Sequence, residues 1–164
     1  MQLYYQKILS PALFVCVLFV SACATSGSDF SKSHVNPDTM VDPTLFGYSQ
    51  IVTVNNGKLI YLAGQGPTML NKKIPPPADL RGQARNAVDN ILLALDEVGA
   101  GPGDIVYLRI NVVDYSPRLL IDIAPEIARL TPAGGQPPAS VFVGVAALVL
   151  PSTRIEIETV AALP

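Results

Sequence analysis

Between Asp79 and Val98 the apolar residues Ala84, Ala87, Val88, Ile91, Leu92, Leu95 and Val98 fall on one face of a 3.6-residue period. A helix with one apolar stripe must bury that stripe against another layer, so this segment restricts the fold of everything around it. Asp79 can cap the start of the helix, and Gly99 or Gly101 can end it in a left-handed conformation. A second helix opens at Ser116-Pro117, with Ser at the cap and Pro in the first turn, and runs to about Leu130. It stops at Thr131-Pro132 and Gly134-Gly135.

The segments around the helices read as strands. Gln50 to Val54 and Lys58 to Ala63 are β-rich, and the Asn55-Asn56-Gly57 between them predicts a hairpin. In Asp104 to Val113, Leu108, Ile110 and Val112 alternate with Tyr107, Arg109 and Asn111, so its two faces differ in chemistry. Val141 to Leu148 and Arg154 to Val160 are the last strands; in the latter, Ile155 and Ile157 alternate with Glu156 and Glu158. Thr68 to Pro77, with Lys72, Lys73 and three consecutive prolines, reads as an irregular surface loop. The order β-β-α-β-α-β-β gives an α+β domain with one mixed sheet of four or five strands. Two helices can cover only one face of it, so the other face calls for self-association.

The N-terminus carries a different signal. Ile8 to Val20 is an apolar run interrupted by Ser10 and Pro11 and preceded by Lys7. It is shorter than the roughly 20 residues that a spanning helix needs, and it fits the apolar region of a secretory signal. Val20-Ser21-Ala22-Cys23 follows, a pattern that resembles the lipobox of bacterial lipoproteins. The expectation is a signal peptide over residues 1–22, a lipid anchor on the Cys23 thiol, a flexible polar tether over 23–42, and a folded domain over 43–164. Ala24, where aspartate would favour retention, points to the outer membrane on the periplasmic side of the envelope. His34, the only histidine, reads as a solvated side chain of the tether.

Composition excludes several chemistries. Both cysteines, Cys16 and Cys23, lie before the domain, so a disulfide framework and a thiolate zinc site are ruled out. One histidine leaves no basis for a Ser-His-Asp triad or a multi-histidine metal site. Setting aside residues 1–22, whose single charged side chain is Lys7, takes the formal net charge from −2 to −3. An acidic domain is a poor match for nucleic acid. Gly99-Ala100-Gly101-Pro102-Gly103 follows a helix and lacks a Lys-Ser/Thr, so it is a helix stop and no phosphate loop.

Taken together, Phe46-Gly47-Tyr48-Ser49-Gln50, Tyr61 to Pro67, Gln83 to Asn90, Val98-Gly99-Ala100, Gly103 to Val106, Pro138-Ala139-Ser140, Val145 to Leu148 and Arg154 to Ala161 resemble, in order and spacing, the RidA/YjgF family. The resemblance implies a chorismate-mutase-like fold and a homotrimer with a barrel-like core and three small-molecule clefts between subunits. It also implies hydrolysis of reactive enamines and imines to ketoacids and ammonia, with no metal or organic cofactor. By the same resemblance, Tyr48 is a pocket tyrosine, Gly64 lines the cleft with its backbone, and Glu156 positions the attacking water. Asp122 stands where active members often have asparagine.

One position departs from the pattern. Active members have an arginine directly after the Pro-Ala pair, where its planar guanidinium grips a carboxylate through two charge-assisted bonds. Here that position is Ser140. A neutral hydroxyl contributes about 0.5–1.5 kcal/mol against about 1.5–3 for a bond to a charged group. The residues therefore predict a changed ligand, or a non-catalytic trimer that binds a small molecule or a protein partner. Arg109 could restore the charge, but its position on the strand pairs it more readily with Glu156 or Glu158; Arg154 reads as charge balance for Glu156. The family's older label of ribonuclease is opposed by the acidic balance.

Overall fold

The computed structural model describes residues 29–68 and 73–164. The expected signal, Cys23 and part of the 68–77 loop lie outside the described residues. The elements are β1 (Ser31–Val35), β2 (Ile51–Asn55), β3 (Lys58–Gln65), α1 (Leu80–Asp96), β4 (Ile105–Val113), α2 (Pro117–Ile127), β5 (Ala139–Val145) and β6 (Ile155–Leu163). The main sheet has the order β3-β6-β4-β5, with β4 and β5 parallel and the other pairs antiparallel. The α+β architecture expected from the alternation of periods is therefore present.

The helix-facing side of the sheet is the core. Leu108, Ile110 and Val112 from β4 and Ile155 and Ile157 from β6 are buried with Ala84, Ala87, Val88, Ile91 and Leu95 of α1. Burying a branched aliphatic side chain contributes about 1.5–3 kcal/mol, so this face dominates the fold's stability. The Asp79 carboxylate accepts from the Gly82 N–H at 3.0 Å, and Gly99 ends the helix at φ +71°, as the sequence predicts. Ser116 stands at the N-cap of α2, but its hydroxyl makes no capping bond. Because β4 and β6 alternate, their other side carries Tyr107, Arg109, Glu156 and Glu158 away from both helices.

Three expectations need correction. The Asn55-Asn56-Gly57 segment does not join a paired hairpin: β2 pairs with β1, and β3 pairs with β6. A two-residue type I′ turn needs positive φ at both central residues; Asn56 has φ 51°, but Gly57 is not in that region. Inward packing of Ile60 and Leu62 instead places β3 beside β6. Second, the tether is not wholly irregular, since residues 31–35 form β1. Third, Arg154 does not balance Glu156: its guanidinium donates to the carbonyls of Pro77 at 2.9 Å and Val113 at 3.3 Å.

Two buried polar side chains tie the helices and loops together. The Gln83 amide donates to the carbonyls of Pro75 and Ser152, both at 3.0 Å, and accepts from the Arg154 N–H at 2.8 Å. Glu126 on α2 has a side chain only 7% exposed, and its Oε1 accepts from Arg81 at 3.1 Å and Arg85 at 3.2 Å. Arg129 reaches its Oε2 at 3.5 Å and Asp89 at 2.7 Å. Burial pushes the Glu126 carboxyl up, but the hydrogen bonds and charges of Arg85 and Arg81 outweigh it and hold the group below its ordinary value. This cluster is the polar seam between α1 and α2.

A depressed carboxyl stabilises the folded state above its ordinary value of 4.5, and that contribution is lost as pH falls through the lower folded value. Glu126→Gln is expected to lower Tm at pH 7 by about 3–6 °C, the shift produced by about 1–2 kcal/mol in a domain of this size. Calorimetry checks this, and the difference between variant and parent should shrink below pH 4.5.

Candidate functional site

A cleft of about 650 Å³ opens between α2 and the β4–β5 end of the sheet. It exists because α2 packs on α1, while α1 lies over β3 and β6. The inner side of α2 then stands over β4 and β5 without closing on them. Leu120 and Ala124 of α2, Leu108 and Ile110 of β4, and Ser140 and Phe142 of β5 face the space. Parallel pairing sets Ser140 opposite Leu108 and Phe142 opposite Ile110, so one alternation of each strand supplies the floor. The Phe142 ring is held against Tyr115, with centroids 6.1 Å apart.

The chain before β2 forms one wall. A 3-10 turn over Thr44–Phe46 leads into Gly47, whose φ of +73° suits glycine, and Tyr48 follows at the lip of the cleft. The neighbouring Ser49 is buried and bridged to the start of β5, its N–H donating to the Pro138 carbonyl at 3.0 Å. The polar side chains on the wall are the hydroxyls of Tyr48, Thr131 and Ser140; among the described residues no carboxylate, ammonium, guanidinium or imidazole lines it.

His34, expected as a solvated tether residue, is half-buried and braces this wall from behind without lining the cleft. Its Nδ1 lies 3.0 Å from the Pro137 carbonyl and 3.1 Å from the Ser49 hydroxyl, which itself donates to Pro137 at 2.5 Å. A carbonyl can only accept, so Nδ1 carries the proton. Strand β1 thus pins the segment that carries Tyr48 to the segment that carries Pro138. Burial and, after it, the Lys32 charge lower the His34 pKa, partly offset by the bond to Pro137.

Glu156 and Gly64 lie elsewhere, and they lie together. A Cβ on Gly64 would stand 2.7 Å from both Cδ and Oε1 of Glu156, so the carboxylate rests directly on the bare backbone of β3. Ile155 and Ile157 point into the core, which puts Glu156 on the helix-free face of the sheet. On the same face Arg109 approaches Glu158 at 3.8 Å and donates to Asn111 at 3.3 Å, and Asn111 donates to Glu158 at 3.1 Å. Arg109 is therefore engaged with Glu158 and supplies no charge to the cleft. Asp122 is exposed, in a separate shallow hollow with Arg81 and Arg154.

Within one protomer the sequence-selected residues thus form two groups, Tyr48 with Ser140 and Gly64 with Glu156, with Asp122 apart from both. Sequence reasoning missed the apolar wall from Leu120, Ala124 and Phe142. The signal for α2 was legible: apolar pairs at Leu119-Leu120, Ile123-Ala124 and Ile127-Ala128 give more apolar width than packing on one neighbour uses. Among the described residues no group of three or more His, Cys, Asp or Glu is placed to hold a metal, and no helix is long and apolar enough to cross a membrane.

Residues 40–163 match the model of the family described as Endoribonuclease L-PSP. Among solved structures, a Rid-family protein of unknown function, YyfB from Yersinia pestis, is 36% identical with a TM-score of 0.75, covering 80% of this chain and 98% of that one. The YjgF gene product of E. coli is 28% identical with a TM-score of 0.57, covering 67% and 84%. Rv2704 from Mycobacterium tuberculosis, a member of the YjgF/YER057c/UK114 family, is 27% identical with a TM-score of 0.53, covering 81% and 100%. No protein with a curated description matches.

The knot at His34 makes a specific pH prediction. A histidine with a lowered folded pKa contributes stability that is present above its ordinary value of 6.5 and declines as pH falls through the folded value. Proton NMR should place the His34 titration below 6.5, and Lys32→Ala should raise it. A midpoint at or above 6.5 would contradict the packing of His34 against Ser49 and Pro137.

Proposed function

This chain belongs to the L-PSP family, also named RidA/YjgF, and on that footing we propose that it is an enamine/imine deaminase-type hydrolase with a changed substrate, built as a homotrimer. The observation that carries the reading is the contact between Glu156 and Gly64. Among the described residues the cleft holds hydroxyls and apolar walls but no base, and the carboxylate lies on another face of the same protomer. A heterologous ring of three copies joins such halves, the cleft of one subunit meeting the Gly64–Glu156 pair of the next. The helix-free face supports this, for it leaves Tyr61 at 74%, Leu59 at 47% and Val141 at 39% exposure.

In that assembly each residue has a definite task. The Tyr48 and Ser140 hydroxyls orient the imine. Glu156 accepts a proton from water as the oxygen adds to the C=N carbon and passes it to the nitrogen. It then takes the hydroxyl proton of the resulting carbinolamine and delivers it to the nitrogen as the C–N bond breaks and ammonia leaves. The balance is one imine and one water giving one carbonyl compound and one ammonia. Asp122, near Arg81 and Arg154, adds negative charge at the periphery and works against an anionic substrate. A lipid on Cys23 would hold the trimer on the periplasmic side of the envelope, most simply at the outer membrane.

A second reading is favoured by Ser140. Without the carboxylate-gripping arginine, the trimer could serve as an envelope-anchored binding module for a small molecule or a protein. Binding of RNA is disfavoured by the net charge of −2.

Ammonia release from an imine generated in place by an amino-acid or amine oxidase separates the two readings. The deaminase reading predicts acceleration above background that Glu156→Gln reduces by about 10²–10⁴-fold. Gly64→Ala should leave Tm within about 2 °C, because the residue is exposed, yet lower the rate about 10–100-fold by displacing the carboxylate. Equal rates with and without the protein would favour the binding module.

A further inference from the structure

The wall of the α2 cleft says more about its occupant than the loss of one arginine. Leu45, Phe46, Leu108, Ile110, Leu120 and Phe142 supply most of it, and among the described residues no ionised side chain lines it. A carboxylate entering this space would give up its hydration and find only hydroxyl donors on the protomer that forms the cleft. In the trimer proposed above it would also be repelled by the Glu156 carboxylate brought up by the next subunit. An ion stripped of water without a charged partner is strongly disfavoured, whereas a neutral amide, carbonyl or imine needs only one or two hydrogen bonds. Arg109, the nearest strand cation by sequence, is on the opposite face of the sheet and engaged with Glu158. The cleft's roughly 650 Å³ lies within the range of small-molecule sites and exceeds what a three-carbon imino acid needs.

We propose that this cleft takes an uncharged, mainly apolar small molecule, with an aromatic ring or branched chain against Phe46, Leu120 and Phe142 and one carbonyl- or imine-type group on the hydroxyls of Tyr48 and Ser140. As a substrate class, this names neutral imines of the form RCH=NH, which water converts to RCHO and ammonia. Such imines come from two-electron oxidation of primary amines, so the reaction that supplies the substrate is of the amine-oxidising class. The assignment as substrate rests on the deaminase reading above; the assignment as ligand does not.

Benzamide and benzoate test it, since they share shape and differ in charge. Isothermal titration of the purified protein should show benzamide bound at least about tenfold more tightly than benzoate. Ser140→Arg should reverse that preference. Ala124→Trp fills the cleft from an exposed position on α2, so it should abolish benzamide binding while the Tm stays near that of the parent. Benzoate binding as tightly as benzamide, benzamide binding unaffected by Ala124→Trp, or no binding of either compound would each overturn the proposal. If benzamide binds as expected but benzaldimine, made in place from benzylamine by an amine oxidase, is not hydrolysed faster, the deaminase reading fails and the ligand class stands. Turnover of 2-iminopropionate with tight benzoate binding gives the reverse outcome.

Discussion

Burial of the α1 stripe against β6 and β3, in one core with the inward residues of β4, is the interaction on which the rest of the molecule depends. Ile91, Leu95, Ile110, Ile155 and Ile157 are fully buried in that layer. Because a strand alternates, every residue that builds this core fixes a neighbour on the opposite face. Ile155 and Ile157 hold Glu156 outward over Gly64, and Leu108 and Ile110 hold Arg109 outward beside Glu158. A one-residue slip of β6 would bury the carboxylates and expose the isoleucines, so the register that stabilises the fold also positions the proposed base.

The position of α2 accounts for the cleft. Its polar seam to α1, centred on Glu126, anchors it on one side, and its second apolar stripe is left over β4 and β5. A helix that packed directly on β5 would fill this space. The opposite wall is held by a segment whose regular structure is the single 3-10 turn Thr44–Phe46. It stays in place through Gly47, the buried Ser49 and the bonds of His34 to Ser49 and Pro137. The cleft is thus assembled from elements braced from outside, and among the described residues no charged group lines its interior.

Much of this was legible in the sequence, and the misses have physical causes. The two helices and the outward position of Glu156 follow from local periods, which a single chain segment carries in full. Strand partners do not: Asn56-Gly57 signals a turn, but the ladder is decided by where Ile60 and Leu62 find a core, which is long-range information. His34 and Arg154 were misread for the same reason. Both bond to carbonyls far along the chain, at Pro137 and at Pro77 and Val113, and backbone acceptors leave no trace in residue identity. The paired family segments marked Tyr48, Gly64, Glu156 and Ser140, but not their division between two faces of one protomer.

That division is the centre of the account, and mixed oligomers test it most directly. Ala124→Trp closes the cleft and Glu156→Gln removes the base, so each variant alone should be inactive in ammonia release. In a randomised one-to-one mixture of the two, a site shared between neighbouring subunits is intact when both contributing halves are unaltered. A ring of that kind predicts recovery of about one quarter of the parental activity. A mixture as inactive as its components, with exchange of subunits confirmed, would contradict a site shared across the interface.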